Sequence, residues 1–197
     1  MKFLLGILFT VFVAIVGIFM VVTSGVINVG ADQAHSPLVY DFLETARNRS
    51  IANASKDIAV PNLEKTDMIS SGGADYKDMC AGCHLSPEVE STDFSASLYP
   101  KPPSFTNTEL VERYKTEAGA QQAFWAIKHG IMASGMPAWG ATHDDDRIWA
   151  MVAFIRSLPD LNENQYTMLT TRLDDSMLDM SFDGEMDMSG DGSEMQH

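Results

Sequence analysis

The sequence is poor in positive charge. It contains 13 lysine and arginine residues against 27 aspartate and glutamate residues, and its formal net charge is −14 at pH 7. Proteins that bind nucleic acid neutralise phosphates with clustered lysine and arginine. The charge balance therefore argues against a nucleic-acid partner. It favours an acidic, soluble surface that docks on basic proteins.

Cysteine is also scarce, because Cys80 and Cys83 are the only two in the chain. Two cysteines are too few for the disulfide framework of a small secreted domain or for a four-cysteine zinc site. Strand signals are missing too, since no stretch of any length alternates apolar and polar residues. The sequence therefore predicts an all-α fold.

Charge is absent between Lys2 and Asp32. Within this segment, residues 3–22 form an almost unbroken apolar run, FLLGILFTVFVAIVGIFMVV. A helix of this length spans roughly 30 Å, which is about the thickness of a bilayer core. A cleavable signal peptide has a shorter apolar stretch of about 7–15 residues. Residues 1–29 are therefore predicted to be a single-pass transmembrane signal-anchor.

The flanks of this helix predict its orientation. Lys2 precedes it and an acidic chain follows it, which favours the N-terminus inside and the rest of the chain outside the membrane. An alternative is removal of the helix by cleavage after Val29-Gly30-Ala31, whose small residues suit a signal peptidase. Either route exports the downstream domain.

Apolar residues recur with helical spacing downstream. Residues 30–65 are interpreted as a linker with an amphipathic helix at 36–49, where Ser36 suits the N-cap and Pro37 the first helical position. Residues 66–159 are predicted to form the main domain. Its helices are expected at about 66–83, 109–114, 118–129 and 144–157. Between Leu85 and Thr108 four prolines indicate a loop.

The two cysteines lie in the motif Cys80-Ala81-Gly82-Cys83-His84. A zinc site would need a fourth ligand, and a thioredoxin-like pair would need a preceding strand. A plain disulfide is compatible with an exported protein but leaves His84 without a role. Covalent attachment of a c-type haem uses all three residues, with two thioethers and an adjacent histidine below the iron. These two readings, disulfide and haem, make different demands on the rest of the chain.

The haem reading requires a second axial ligand downstream. Met136 lies between Gly135 and Pro137, outside the predicted helices, and follows His84 by 52 residues. A methionine in such a turn can direct its thioether inward, and methionine is a common partner of histidine in cytochromes c. Met132 is the nearest competitor, but it lacks the flanking turn residues.

Four segments in this order resemble class I cytochromes c, and in particular the monohaem, membrane-anchored bacterial type with a cbb3-like cytochrome c domain. These segments are GGADYKDMCAGCH, YPKPPSF, IKHGIMASGMPAWG and HDDDRIWAMVAFIRSLP, which together span roughly residues 66–159. The resemblance implies a class I cytochrome c fold with one covalently bound haem c. It also implies that the chain is an electron carrier and not an enzyme, acting either alone or as a subunit of an oxidoreductase complex.

The resemblance assigns roles to individual residues. Cys80 and Cys83 are the covalent haem positions, and His84 and Met136 are the axial iron ligands. Pro102 or Pro103 is expected to supply a backbone carbonyl to the ring N–H of His84, which strengthens the imidazole as a donor. The crossing of the first and last helices is expected at Gly72 and Tyr76. Trp125 and Trp139 are expected to pack against the porphyrin or its propionates. No catalytic residue is assigned.

The leading functional prediction is a carrier that transfers single electrons between redox proteins of the bacterial inner membrane and periplasm. Its donor or acceptor would be, for example, a terminal oxidase or a dehydrogenase. One alternative is a haem-based enzyme or a sensor of gas or peroxide, in which Met136 is displaceable. A further alternative is a copper-handling protein.

The copper alternative rests on residues 160–197. This segment has ten acidic residues against Arg172 alone, and it contains six of the 13 methionines. Its acidic residues, glycine and serine predict a disordered C-terminal tail. Thioethers are soft ligands that prefer copper(I), so the methionines together with His197 form a candidate copper site.

Overall fold

The computed structural model describes residues 2–172, which are all-α and contain no strand. The predicted acidic, methionine-rich tail from residue 173 onward, with its candidate copper site, lies outside the described residues. The helices are α1 Lys2–Thr23, α2 Pro37–Ser55, α3 Thr66–Met79, α4 Ala81–His84, α5 Asp93–Ser97, α6 Thr108–Tyr114, α7 Glu117–His129, α8 Asp145–Ser157 and α9 Glu163–Thr170, with short 3₁₀ turns at Trp139–Ala141 and Leu158–Asp160.

Helix α1 contains 22 residues, has a mean hydropathy of 2.9 over its most apolar window, and has no buried residue. At 1.5 Å per residue it is about 33 Å long. It is therefore long and apolar enough to cross a membrane. Its apolar side chains do not belong to the core of the remaining protein.

The core forms where α3 crosses α8. Gly72 of α3 faces the backbone of α8, and a Cβ atom placed on it would lie 2.9 Å from the Met151 nitrogen and closer still to the carbonyl of Ala150. Only glycine allows this approach. Tyr76, one turn later, is completely buried, and its hydroxyl donates to the Leu85 carbonyl oxygen. The helices α3 and α8 therefore meet at Gly72 and Tyr76, where the crossing is expected.

Helix α9 corrects the predicted start of the disordered tail. It occupies residues 163–170, inside the segment for which composition predicted disorder from residue 160. Asn162 and Gln165 form a reciprocal capping box at its start, a local signal that outweighs the acidic composition. The helix packs on α3 at Gly73, where an added Cβ would lie 3.0 Å from the Leu169 carbonyl carbon.

A buried carboxylate ties the ends of the domain together. Asp75 of α3 accepts hydrogen bonds from Arg147 of α8 and from Arg172, each with one nitrogen–oxygen distance of 2.8 Å. Burial alone would raise the pKa of Asp75, but the hydrogen bonds and positive charges of the two arginines outweigh it and hold its pKa below its ordinary value. The carboxylate therefore stays charged at neutral pH.

Three features of the helices differ from the prediction by more than one residue. Helix α2 continues six residues beyond 49, and it packs on α7. The helix predicted for 66–83 breaks at Cys80, where the backbone turns and α4 begins. The loop from Leu85 to Thr108 contains the short helix α5, which begins with a capping box between Thr92 and Ser95.

Candidate functional site

The break between α3 and α4 places the cysteines and the histidine on one tight turn. The amide of Cys80 donates to the Tyr76 carbonyl over 2.8 Å, and the amides of Cys83 and His84 both donate to the Cys80 carbonyl. Leu85 ends the turn with a φ of 70°. The five residues of the motif therefore form a single helical turn that is anchored to α3.

His84 is held in one orientation. The residue is 8% exposed, and its ring stacks on Phe105, with 4.3 Å between the ring centroids and 9° between the ring planes. Its Nδ1 lies 2.8 Å from the carbonyl oxygen of Pro103. A carbonyl only accepts, so Nδ1 must be the protonated nitrogen, and the lone pair of the neutral ring is on Nε2.

Burial also keeps the His84 imidazole in its neutral form. It lowers the pKa of His84, an effect that the hydrogen bond to Pro103 partly opposes. The imidazole is therefore neutral at pH 7 and offers Nε2 to an electrophile. Of the two prolines considered from the sequence, Pro103 makes the contact with the ring, whereas Pro102 lines the adjacent cavity.

The cysteines are both free thiols, and Cys80 is buried. Burial, together with the negative charge of Asp75, raises the pKa of Cys80 to about 12. A redox-active or metal-binding cysteine requires a depressed thiol pKa. In residues 2–172 no group of three histidine, cysteine, aspartate or glutamate side chains is placed to hold a metal ion. The environment of Cys80 suits a neutral sulfur, such as a thiol or a thioether.

The facing wall comes from the loop between α7 and the 3₁₀ turn. Gly130 ends α7 with a φ of 67°. The loop then closes on itself, because the Ile131 amide donates to the Met136 carbonyl over 3.2 Å and the Met136 amide donates to the Ser134 hydroxyl over 3.1 Å. These bonds fix the backbone on both sides of Met136.

The two walls enclose one cavity of about 1030 Å³, measured with its mouth. Cys80, Cys83, His84 and Met136 all line it. Most of the other lining side chains are apolar, and they include Met79, Leu98, Phe105, Ala123, Ile127, Ile131, Pro137, Trp139 and Ile155. The cavity therefore suits a large apolar molecule that bonds to sulfur and nitrogen.

Other residues singled out in the sequence lie elsewhere. Met132 is 97% exposed and does not line the cavity. Trp139 lines the cavity, but Trp125 does not, contrary to expectation; its ring instead lies 4.9 Å from that of His129. Trp125 lies on α7 with Ala123, Ala126 and Ile127, but helical spacing turns it away from their face.

Phe105, Tyr114 and Arg47 also line the cavity and have no role in the sequence-based prediction. Phe105 belongs to the segment YPKPPSF, and its short spacing from Pro102 and Pro103 in that segment is a signal that could have identified it as a cavity residue. Tyr114 ends α6, and Arg47 lies on α2, far upstream of the motif. No local pattern connects Arg47 with the cavity, because its position depends on how α2 packs on α7.

The comparisons with known proteins agree with this geometry. Residues 67–155 match the family model described as cytochrome c oxidase, cbb3-type, subunit III. The match covers less than half of the chain and leaves out α1, α2 and α9. Searches of the curated proteins and of the solved structures each found no match.

Proposed function

We propose that this chain, whose residues 67–155 form a cbb3-like class I cytochrome c domain, is a membrane-anchored monohaem electron carrier. Domains of this family contain covalently bound haem c. The observation that supports the proposal most directly is that Cys80, Cys83, His84 and Met136 line one cavity, although 52 residues separate the last two.

In the proposed site, Cys80 and Cys83 attach the haem through thioether bonds. Their turn is fixed by backbone hydrogen bonds to Tyr76 and Cys80, so the attachment points are set before any ligand is present. The buried environment of Cys80 favours the uncharged sulfur that a thioether provides. These residues hold and orient the cofactor.

His84 and Met136 are the proposed axial ligands. The hydrogen bond from Nδ1 of His84 to Pro103 and the stacking on Phe105 prevent the ring from rotating. Such a bond also makes the imidazole a stronger donor. The closed loop around Met136 keeps its thioether on the facing wall. When bound, haem c supplies a one-electron couple between ferrous and ferric iron.

The protein tunes this couple through its cavity. A histidine and methionine ligand pair raises the reduction potential. The apolar side chains that line the cavity exclude water, which disfavours the additional positive charge of the ferric state. With His84 and Met136 both holding the iron, no substrate would need to bind it. This arrangement suits an electron carrier better than an enzyme or a sensor.

Helix α1 is the proposed membrane anchor. Its length and composition suit a single bilayer crossing, and Lys2 at its start favours a cytoplasmic N-terminus with the haem domain in the periplasm. We further propose that the partners are redox proteins at the same membrane, such as a terminal oxidase or a dehydrogenase. The chain would act as their mobile carrier or as a subunit of their complex.

The proposal is tested on full-length protein produced in a bacterial host that attaches haem c, and purified in detergent. We expect the intact mass to exceed that of the polypeptide by one haem, and acid–acetone to leave the pigment on the protein. An unmodified polypeptide mass would overturn the proposal. Cys80→Ala together with Cys83→Ala should abolish the covalent attachment.

Ligation by Met136 is tested with carbon monoxide. The ferrous wild type should keep a low-spin spectrum under carbon monoxide, whereas Met136→Ala should bind it rapidly. Met132→Ala is the matched control, because this methionine is only four residues away and points into solvent. Rapid binding by the wild type would favour the sensor or enzyme, and reactivity of Met132→Ala alone would assign the ligand to Met132.

A further inference from the structure

The charged residues around the cavity all have the same sign. Among the described residues that line it, Arg47 and Lys101 are the charged ones, because His84 is neutral at pH 7, and no aspartate or glutamate lines it. This contrasts with a chain in which acidic residues outnumber basic ones by 27 to 13. Lys101 is exposed, so water screens its charge. Arg47 is more shielded, with 30% of its side chain exposed.

Arg47 reaches the cavity from outside the family segment. It lies on α2, which precedes residues 67–155 and packs on α7, the helix that supplies Ala123, Ala126 and Ile127 to the cavity wall. Its guanidinium is positioned by two neighbours on its own helix. Nη2 donates to Glu44 over 2.9 Å, and Nε donates to Asn48 over 3.1 Å.

These contacts leave part of the guanidinium free to bind a ligand. Arginine has five N–H donors in a planar fork that matches a carboxylate. Two of them bind Glu44 and Asn48. The remaining donors face no acidic side chain on the cavity wall. The polypeptide thus holds the guanidinium in place and leaves its other N–H donors available to a ligand.

Tyr114 completes this part of the wall. It lies at the end of α6, lines the same cavity, and packs edge-on against Phe105 with 6.0 Å between the ring centroids. Burial raises its pKa, and the positive charges of Arg113 and Arg47 oppose that rise. The Tyr114 hydroxyl is therefore within electrostatic reach of the Arg47 guanidinium and stays protonated, as a hydrogen-bond donor, at neutral pH.

We propose that Arg47 and Tyr114 form a carboxylate-binding subsite that takes a propionate of the haem. This inference rests on the proposed function, because the subsite has no ligand if no haem is attached. It gives α2 a role in binding the haem, although this helix lies outside the segment that matches the family. Haem c has two propionates, and they are its only acidic groups.

The subsite has a consequence for the redox equilibrium. The positive charge of Arg47 offsets the propionate and opposes the additional positive charge that the iron gains on oxidation. Removing Arg47 leaves an uncompensated negative charge beside the haem, which stabilises the ferric state. Because the cavity is apolar, such charges are weakly screened and act over several ångströms.

The test compares charge removal at two arginines of the same helix in the haem-loaded, full-length protein. Arg47→Gln should lower the ratio of ferrous to ferric protein at a fixed applied potential by about tenfold, equivalent to 59 mV for one electron. Arg49→Gln is the matched control, because Arg49 is exposed, carries the same charge and does not line the cavity. Its ratio should change by less than about twofold.

Two more variants separate binding from simple charge. Arg47→Lys should retain part of the effect, and Tyr114→Phe should lower the ratio less than Arg47→Gln does. The melting temperature and the low-spin spectrum of each variant check that the fold and the axial ligands are intact. Equal ratios in Arg47→Gln and Arg49→Gln would overturn the subsite while leaving the carrier proposal in place. Absence of covalent haem in the wild type would overturn both.

Discussion

Substitution of Gly72 by alanine tests the helix crossing on which the domain depends. The added methyl group would lie 2.9 Å from the Met151 nitrogen and nearer still to the Ala150 carbonyl. Ordinary contact between heavy atoms is about 3.5 Å or more. The neighbouring atoms are backbone, which cannot rotate away, so α3 and α8 would have to separate by roughly 1 Å.

Two opposing effects determine how much Gly72→Ala changes the free energy of unfolding. Overpacking of a well-packed core costs about 1–3 kcal/mol, and the upper end applies because the clash involves the main chain. Alanine is favoured over glycine within a helix by about 1 kcal/mol. The net loss in the free energy of unfolding is therefore about 2 kcal/mol. For a domain of this size, that corresponds to a melting temperature lower by about 10 °C.

Thermal unfolding of the full-length protein in detergent, followed by circular dichroism, measures this loss. Ser71→Ala is the control, because Ser71 is the exposed neighbour of Gly72 on the same helix, and its substitution should change stability by no more than about 0.5 kcal/mol. A melting temperature of Gly72→Ala equal to or above that of Ser71→Ala would refute the reasoning, because the helices would then have room for a side chain.

Two further substitutions test two separate features: the ion pairs of Asp75, which join the ends of the domain, and the loop around Met136. Asp75→Asn should lower the free energy of unfolding by about 1–3 kcal/mol, as is typical of hydrogen bonds to charged groups. Folding lowers the pKa of Asp75. Its contribution to stability is therefore present above the ordinary carboxyl pKa of about 3.9 and is lost as the pH falls below that value. Urea unfolding at pH 7 and pH 3 checks this, and an equal difference from wild type at both pH values would contradict it. Gly130→Ala places a side chain at a φ of 67°, at a cost of about 1–3 kcal/mol, and should make the ferrous protein reactive with carbon monoxide by displacing Met136. An unreactive variant with the melting temperature of the wild type would show that the loop tolerates the change.

Much of the helical framework could be predicted because its signals are local. Helix α7 begins one residue before its predicted start, and α8 ends at Ser157 as expected. Caps, helical periodicity and flanking prolines lie within a few residues of the boundaries that they determine. The break at Cys80 was missed because nothing in the local sequence disfavours continuing the helix through Ala81.

Features that depend on packing between distant segments could not be predicted in this way. Helix α9 begins with a capping box, but the acidic composition around it predicts disorder, and its packing on Gly73 depends on the three-dimensional fold. Which of Pro102 and Pro103 contacts His84 also depends on packing between distant segments. Both offer a carbonyl, and only the path of the loop after Leu85 decides which one meets the ring of His84.

The linker limits where the proposed carrier can operate. His35 contacts Tyr99, with 2.9 Å between its Nδ1 and the tyrosine hydroxyl, so the chain is attached to the domain one residue before Ser36. Eleven residues remain between Thr23 and His35. Fully extended, they span no more than about 40 Å. An anchored domain on such a tether meets only partners that present their redox sites close to the same membrane, which favours membrane-bound donors and acceptors over freely diffusing ones.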